Sequence, residues 1–151
     1  MVSIFRMDEN KKTFLPLMLL ADEQEDMIDR YLERGEMFVL EDDAKTCAVC
    51  VVTDEGDGVL EIKNLAVAPD KQRQGYGRRI IEFVAGRFAG KYHTLLVGTG
   101  DSPLTIPFYE RCGFVRSHVI KNFFTDHYDH PIIEDGVLLR DMVYLKREIT
   151  V

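Results

Sequence analysis

The sequence predicts an α/β chain built on a mixed sheet, and three observations carry that prediction. Two strand-length apolar runs lie close together over residues 36–53, joined only by a short acidic turn. A strand, a helix and another strand follow one another over residues 59–97, the order of a right-handed parallel crossover. The 151 residues are 46% hydrophobic and 30% charged, an ordinary globular composition that fills the core of one domain, expected over residues 1–151.

The elements follow in order. "VSIFRM" alternates and opens as a strand. Residues 11–34 read as one or two helices, because Leu15, Leu19, Leu20, Met27, Ile28, Tyr31 and Leu32 recur at helical spacing and Gly35 stops the pattern. "EMFVLED" and "KTCAVCVVT" are strands, antiparallel because the turn at Asp42 and Asp43 is short. "DEGDG" is a turn, and "VLEIKNLAVAP" is a longer strand that ends at Pro69. A helix is expected from about Tyr76 to Phe88, with Ile80, Ile81, Val84 and Phe88 on one face. "YHTLLVG" is a strand, and "GTGDSP" leads into a short helix over "LTIPFYERC" that Gly113 ends. "FVRSHVI" and "GVLLRDMVYLKRE" are the last strands, and "KNFFTDHYDHPIIED" between them is a polar-aromatic connection.

Charge is unevenly spread. Residues 1–60 carry 6 basic and 15 acidic side chains, residues 61–91 carry 7 and 3, and residues 92–151 carry 6 and 8, within a formal net charge of −7. An acidic chain with one basic island is a poor general nucleic-acid binder and a reasonable binder of one compact polyanion. Its acidic remainder favours a cationic second ligand. No apolar run reaches the length of a membrane span, and "MVSIFRMDENKK" lacks a basic-then-apolar signal layout, so the expected setting is cytoplasmic with no membrane partner. Three cysteines give no disulfide framework. Cys47 and Cys50 form a CxxC inside a strand, where positions three apart face opposite sides, so they read as core residues rather than metal ligands.

The basic island centres on "APDKQRQGYGRRII", residues 68–81. Glycine lets the backbone approach a ligand with no Cβ in the way, and a helix start offers unpaired amides and the positive end of the dipole. Together these suit a phosphate. The nucleotide-triphosphate loop is excluded because no Gly-Lys-Ser/Thr follows, and the dinucleotide fingerprint fails because Ile80 stands where its third glycine belongs.

Gln72-Arg73-Gln74-Gly75-Tyr76-Gly77 resembles the Q/R-x-x-G-x-G/A segment of the GNAT superfamily, the GCN-related N-acetyltransferases. "IKNLAVAPDKQRQGYGRRII" resembles the family's whole strand-loop-helix unit, and "FYERCGF" about thirty residues on resembles its second signature. Order and spacing agree over nearly the whole chain, and the closing "FFTDHYDHPIIEDGVLLRDMVYL" resembles a bacterial branch of small GNAT proteins. The resemblance implies a mixed, mostly antiparallel central sheet of six to seven strands flanked by about four helices. It implies acetyl-CoA as cosubstrate. Gln72, Arg73, Gln74, Gly75, Tyr76, Gly77 and Arg78 match the positions whose amides hold the pyrophosphate, with Lys71 as added charge and Arg79 either as added charge or as an exposed helix residue. Leu65, Ala66 and Val67 match the strand end that pairs with the pantetheine arm.

The resemblance also implies a chemistry. Tyr109 matches the general-acid tyrosine, whose phenol protonates the departing CoA thiolate; the plainer alternative is a tyrosine packing its helix onto the sheet. Glu61, four residues before Leu65, matches the base glutamate of several members, directly or through water, with a solvated strand glutamate as the alternative. Asn64 and Lys63 line the same cleft from opposite strand faces. Where the family often carries an asparagine near the second helix this chain reads "GTGDSP", so Asp101 or Ser102 stands near that place, either as a cap or, for Asp101, as a contact to a substrate amine. His127, in "DHYDH", is a candidate for a substrate-facing loop, and no metal is expected there. Cys112 is wrongly located for a covalent intermediate.

These features point to an N-acetyltransferase that moves the acetyl group of acetyl-CoA directly to a primary amine, of a small cationic molecule or of a lysine or N-terminus. Homodimers are common in the resembling family. The rival is a non-catalytic acetyl-CoA-binding sensor or partner-dependent subunit, which would dispense with Tyr109 and Glu61. A nucleotide- or RNA-binding module is a second rival that the acidic balance disfavours.

Overall fold

A computed structural model describes residues 1–150; Val151 lies outside the described residues. Seven strands form one sheet in the order β1-β2-β3-β4-β5-β9-β6: β1 Val2–Met7, β2 Glu36–Asp42, β3 Lys45–Asp54, β4 Val59–Val67, β5 Thr94–Gly100, β6 Val115–Ile120 and β9 Met142–Glu148. All neighbours run antiparallel except β4 and β5, which are parallel and joined by helix α3, Tyr76–Phe88. The expected α/β class, mixed sheet and crossover are all present. The first helical region is a 3-10 turn at Lys11–Phe14 followed by α1, Leu15–Ala21, and α2, Glu25–Ile28. Helix α4 spans Thr105–Arg111. Among the described residues no helix is long and apolar enough to cross a membrane.

The central strands of the sheet are buried on both faces. Phe38, Leu40, Ala48, Cys50 and Val52 face one core with Ile80, Ile81, Val84 and Phe88 of α3 and Ile106 and Tyr109 of α4. The alternate residues Met37, Val39, Val49 and Val51 face a second core with Met18, Ile28, Tyr31 and Leu32. A strand covered on both sides reads as a continuous apolar run rather than an alternating one. Lys11 fastens the second layer, its Nζ donating to the carbonyls of Leu32 (2.9 Å) and Gly35 (2.8 Å) where helical turns run out.

Three details depart from the sequence-based expectation. The connection over residues 121–136 holds a short helix α5, Phe123–His127, and a two-stranded hairpin of β7, Ile133–Glu134, with β8, Val137–Leu138. The final strand therefore begins at Met142, not near Gly136. Phe124, Ile132 and Leu139 form a small third core there, a cluster built from distant residues with no period to read. Third, Cys47 and Cys50 do not face opposite sides. A bulge leaves Cys47 unpaired between Ala48 and Thr46, and both thiols join the same core, each fully buried. Among the described residues no three His, Cys, Asp or Glu side chains converge as a metal site.

The bulge that matters most lies in β4. Val51 pairs with Asn64 while Val52 pairs with Ile62, so Lys63 is an extra residue. Pairing between β4 and β5 stops at Ile62 and Val97, although β4 continues to Val67 and β5 to Gly100. The strands splay from that point, and a notch opens in the sheet.

Gly35 tests the packing of the second layer. A Cβ at this position would stand 2.8 Å from Val51 Cγ1 and 2.9 Å from the Tyr31 carbonyl oxygen. Gly35→Ala is expected to cost about 1–3 kcal/mol as an overpacked substitution. A thermal melt should show Tm lower by about 2–4 °C for each kcal/mol lost.

Candidate active site

The notch between β4 and β5 leads into a cavity of about 480 Å³. Lys63 to Val67 form one wall, Val97 to Gly100 the facing wall, and Tyr109 closes one side. Of the expected cofactor residues, Leu65, Ala66, Val67 and Gln72 line it. Main-chain groups of β4 that would otherwise pair with β5 face this space, so an extended amide-bearing arm can take the place of the missing strand partner.

Gln72 to Arg78 continue from the cavity rim over the surface. Arg73 (φ 64°) and Gly75 (φ 84°) are both left-handed, an alternation that turns successive amides toward one concave side. A Cβ at Gly75 would meet nothing within 4 Å, so the backbone there is open to a ligand. Arg79 N donates to Gly75 O at 3.0 Å, and the helix amides before it have no intrahelical acceptor. Gly77 is needed for another reason: a Cβ there would stand 3.1 Å from Phe108 Cζ. The Gln72 and Gln74 amides brace the loop on the carbonyls of Val67 and Asp70. Tyr76 turns its side chain away, donating its hydroxyl to Asp42 at 2.6 Å and tying α3 to the β2–β3 turn. These groups fit a pyrophosphate: free amides, a helix N-terminus and the exposed guanidinium groups of Arg73, Arg78 and Arg79.

Tyr109 is 7% exposed and packs edge-on between Phe108 and Phe114, with ring centroids 5.1 and 5.6 Å away. Burial pushes its phenol above the ordinary value of 10, so it stays protonated. The sequence left packing and cavity roles open; the ring does both.

Glu61 lies one residue before the last β4–β5 pair. It is 7% exposed, and its Oε2 accepts from Lys63 Nζ at 3.1 Å. Desolvation raises its carboxyl above the ordinary carboxylate range, and the Lys63 ammonium offsets only part of that. Glu61 lines a second, smaller cavity of about 220 Å³ beside Tyr144, Met27, Phe123 and Tyr128. Burial pushes the Tyr144 phenol up to about 12, with the nearby Glu61 carboxylate adding to the shift. The two cavities meet along Asp22, Ile62, Lys63, Gly98, Tyr128 and Met142.

Lys63 and Asn64 were expected on opposite strand faces, and the bulge alters that. Lys63 reaches Glu61 on the helix α2 side, and Asn64 points to the same layer, its Nδ2 donating to Met18 O (3.0 Å) and the Tyr31 hydroxyl (3.1 Å). The Tyr31 hydroxyl donates to Asp22 Oδ2 at 3.1 Å, and the Tyr128 hydroxyl to Asp22 Oδ1 at 2.6 Å. The chain of contacts thus links β4, α1, the turns after α2 and the loop after α5. Asn64 Oδ1 is buried with no hydrogen-bond partner, and Asn64 lines the larger cavity. An unsatisfied acceptor of this kind is costly to leave without a donor.

The remaining candidates lie elsewhere. Asp101 is exposed and lines neither cavity; Ser102 is buried, its hydroxyl accepting from Leu104 N at 3.1 Å in a local turn. Thr99 and Thr105, hydroxyls 2.7 Å apart, line the larger cavity near the place where the family carries its asparagine. His127 is exposed and packs on Phe123, and its neighbour Tyr128 is the residue that reaches both cavities. Asp22, Thr99, Thr105, Tyr128 and Tyr144 also line the cavities. None of them belongs to a motif, and their spacing in the chain carries no signal. Cys112 is buried and lines neither cavity.

Comparison with known proteins gives a consistent answer. Residues 33–116 match the acetyltransferase (GNAT) domain family. The uncharacterized N-acetyltransferase YvbK of Bacillus subtilis (strain 168) is 35% identical over 141 residues, covering 91% of this chain and 90% of that protein. A GNAT family acetyltransferase from Elizabethkingia anophelis, solved with acetyl-CoA bound, superposes with a TM-score of 0.91 at 33% identity and 97% coverage of each chain. An IAA acetyltransferase from Bacillus cereus ATCC 14579 does so at 0.91 and 32% identity, covering 98% of this chain and 99% of its own. With the splayed strands, the glycine-punctuated loop and the extent of these matches together, the chain belongs to the GNAT acetyltransferases.

Proposed function

We propose that the protein transfers the acetyl group of acetyl-CoA directly to a primary amine, with both substrates bound together. The carrying observation is that two cavities meet, one lined by Tyr109 and the other by Glu61. The relative from Elizabethkingia anophelis was solved with acetyl-CoA, which supports acetyl-CoA as the occupant of the larger cavity here. In this reading the amides and guanidinium groups of Gln72 to Arg78 hold the pyrophosphate, and the free edge of Leu65, Ala66 and Val67 pairs with the pantetheine arm. The acetyl carbonyl then lies near the junction.

Glu61, directly or through a water, takes a proton from the ammonium so that the nitrogen lone pair is free. The nitrogen attacks the thioester carbon, the new C–N bond forms, and the C–S bond breaks with its electron pair leaving on sulfur. Tyr109 donates its proton to that thiolate, the second proton on the new amide nitrogen leaves to solvent, and solvent returns a proton to the Tyr109 oxygen. Because burial raises the Tyr109 pKa, its first contribution is a hydrogen bond to the developing charge, with transfer completed as the thiol departs. The raised Glu61 pKa makes it a stronger base than a solvated glutamate, and its deprotonated form is the active one. A CoA-binding sensor has no use for either group, and their presence favours the enzyme.

Calorimetric titration tests the first half of this. Acetyl-CoA should bind, and ATP and NAD should not bind comparably; absence of acetyl-CoA binding to folded protein overturns the assignment. Tyr109→Phe should lower kcat by about 10²-fold while leaving Tm close to wild type, since the ring keeps its packing against Phe108 and Phe114. An unchanged kcat removes its acid role. Glu61→Gln should lower kcat/KM by about 10²-fold at neutral pH. For wild type the rate should fall as pH drops through a Glu61 pKa above the ordinary 4.5. In the variant that limb should disappear, and the rate should recover as pH approaches the pKa of the acceptor amine. A variant with the wild-type pH profile would show that another group is the base.

A further inference from the structure

We propose that the smaller cavity is the acceptor subsite and takes an aromatic amine that carries its own carboxylate, of which an aromatic amino acid is the simplest, with Arg30 holding the carboxylate. The proposal rests on the acetyltransferase reading above and narrows its acceptor.

Size and walls indicate a ring. A cavity of about 150 Å³ accommodates benzene, so the 220 Å³ here has room for one ring with a few substituents. Phe123, Tyr128, Tyr144 and Met27 surround that space. Aromatic and thioether side chains of this kind favour a planar apolar body through edge-to-face and sulfur contacts. The amine end is fixed by chemistry, because Glu61 is on the same wall and the space opens into the thioester cavity across Ile62, Lys63 and Gly98.

The charge pattern indicates the carboxylate. The overall net charge of −7 would suggest a polycationic acceptor, yet the cavity itself is lined by Arg30, Arg34 and Lys63 against Asp22 and Glu61. All but one of these groups are already matched. Lys63 is paired with Glu61 at 3.1 Å, Arg34 with Glu55 at 3.0 Å, and Asp22 accepts from the Tyr31 and Tyr128 hydroxyls. Arg30 makes no ion pair among the described residues. It lies in the turns that follow α2, three residues after Met27 and four before Arg34, and lines the same cavity as both. An unpaired guanidinium at the mouth of an aromatic slot recognises a planar carboxylate, in a two-point geometry that an ammonium ligand cannot supply.

The test compares matched acceptors on the intact protein with acetyl-CoA: L-tyrosine with tyramine, L-tryptophan with tryptamine, and spermidine as the polycation. Each amino acid is expected to be acetylated with kcat/KM about tenfold or more above its decarboxylated partner, and spermidine to be poorest. Arg30→Gln should raise KM for the amino acids about tenfold and bring the tyrosine-to-tyramine KM ratio close to one. Arg30→Lys should restore part of the preference. Equal or better use of tyramine, tryptamine or spermidine by the wild type overturns the proposal and leaves the acetyltransferase reading standing. So does a substitution at Arg30 that alters both members of a pair alike. If acetyl-CoA binds and none of these amines is acetylated, the subsite assignment is wrong. If acetyl-CoA does not bind, the reading beneath it fails as well.

Discussion

Two parallel strands in the middle of a packed sheet stop pairing after four residue pairs, and the arrangement of the site depends on that separation. A buried strand edge carries unpaired amides and carbonyls, which are expensive to leave without partners. Here the expense is confined to one notch, and the extra residue Lys63 bends β4 away from β5 at its start. The sheet stays closed on either side because β3 and β9 pair with the outer edges of the splayed strands. The opening is therefore a fixed feature of a sheet with cores on both faces.

The same bulge sets the chemistry on each side of the notch. Before it, Leu60 and Ile62 face the core under α3; after it, Leu65 and Val67 do, and Asn64 and Ala66 face the other layer. Were β4 regular through Lys63, with no bulge, strict alternation of strand side chains would give the later positions the opposite faces. Glu61 and Lys63 would still share a face, but Asn64 would lose its contacts with Met18 and Tyr31. Burial acts on Glu61 and Tyr109 in the same direction, raising both, and in the proposed mechanism the two shifts serve opposite purposes. A raised carboxyl holds a proton more readily once it has taken one. A raised phenol keeps its proton until a charge forms beside it.

The polar chain from Asn64 through Tyr31 to Asp22 and Tyr128 joins four segments distant in sequence. Its carboxylate is half-buried, and desolvation raises its pKa against the two phenol hydrogen bonds that lower it. Such a network is rigid while complete and costly when broken. It anchors the loop after α5 against the α1–α2 turn, and Asp129 N adds a hydrogen bond to Gln24 at 3.1 Å. The region with the weakest sequence pattern is thereby held, through Asn64, against the splayed strands.

Local sequence determined the elements, because periodicity acts over a few residues. The helix at Tyr76–Phe88 and the strand into Pro69 follow from spacing and from proline and glycine chemistry, and the loop between them resembles one family closely enough to name it. Tyr109 and Glu61 were legible as candidates through that resemblance. Long-range pairing decided the rest. The bulge at Lys63 arises from register against β3, and alternation within β4 alone gives the wrong face for Asn64. The helix and hairpin at residues 123–138 are held by Phe124, Ile132 and Leu139, a core that exists only once the chain has returned on itself. The unmatched guanidinium of Arg30 stands out only when its neighbours' partners are known, and those partners come from the β3–β4 turn and from β4.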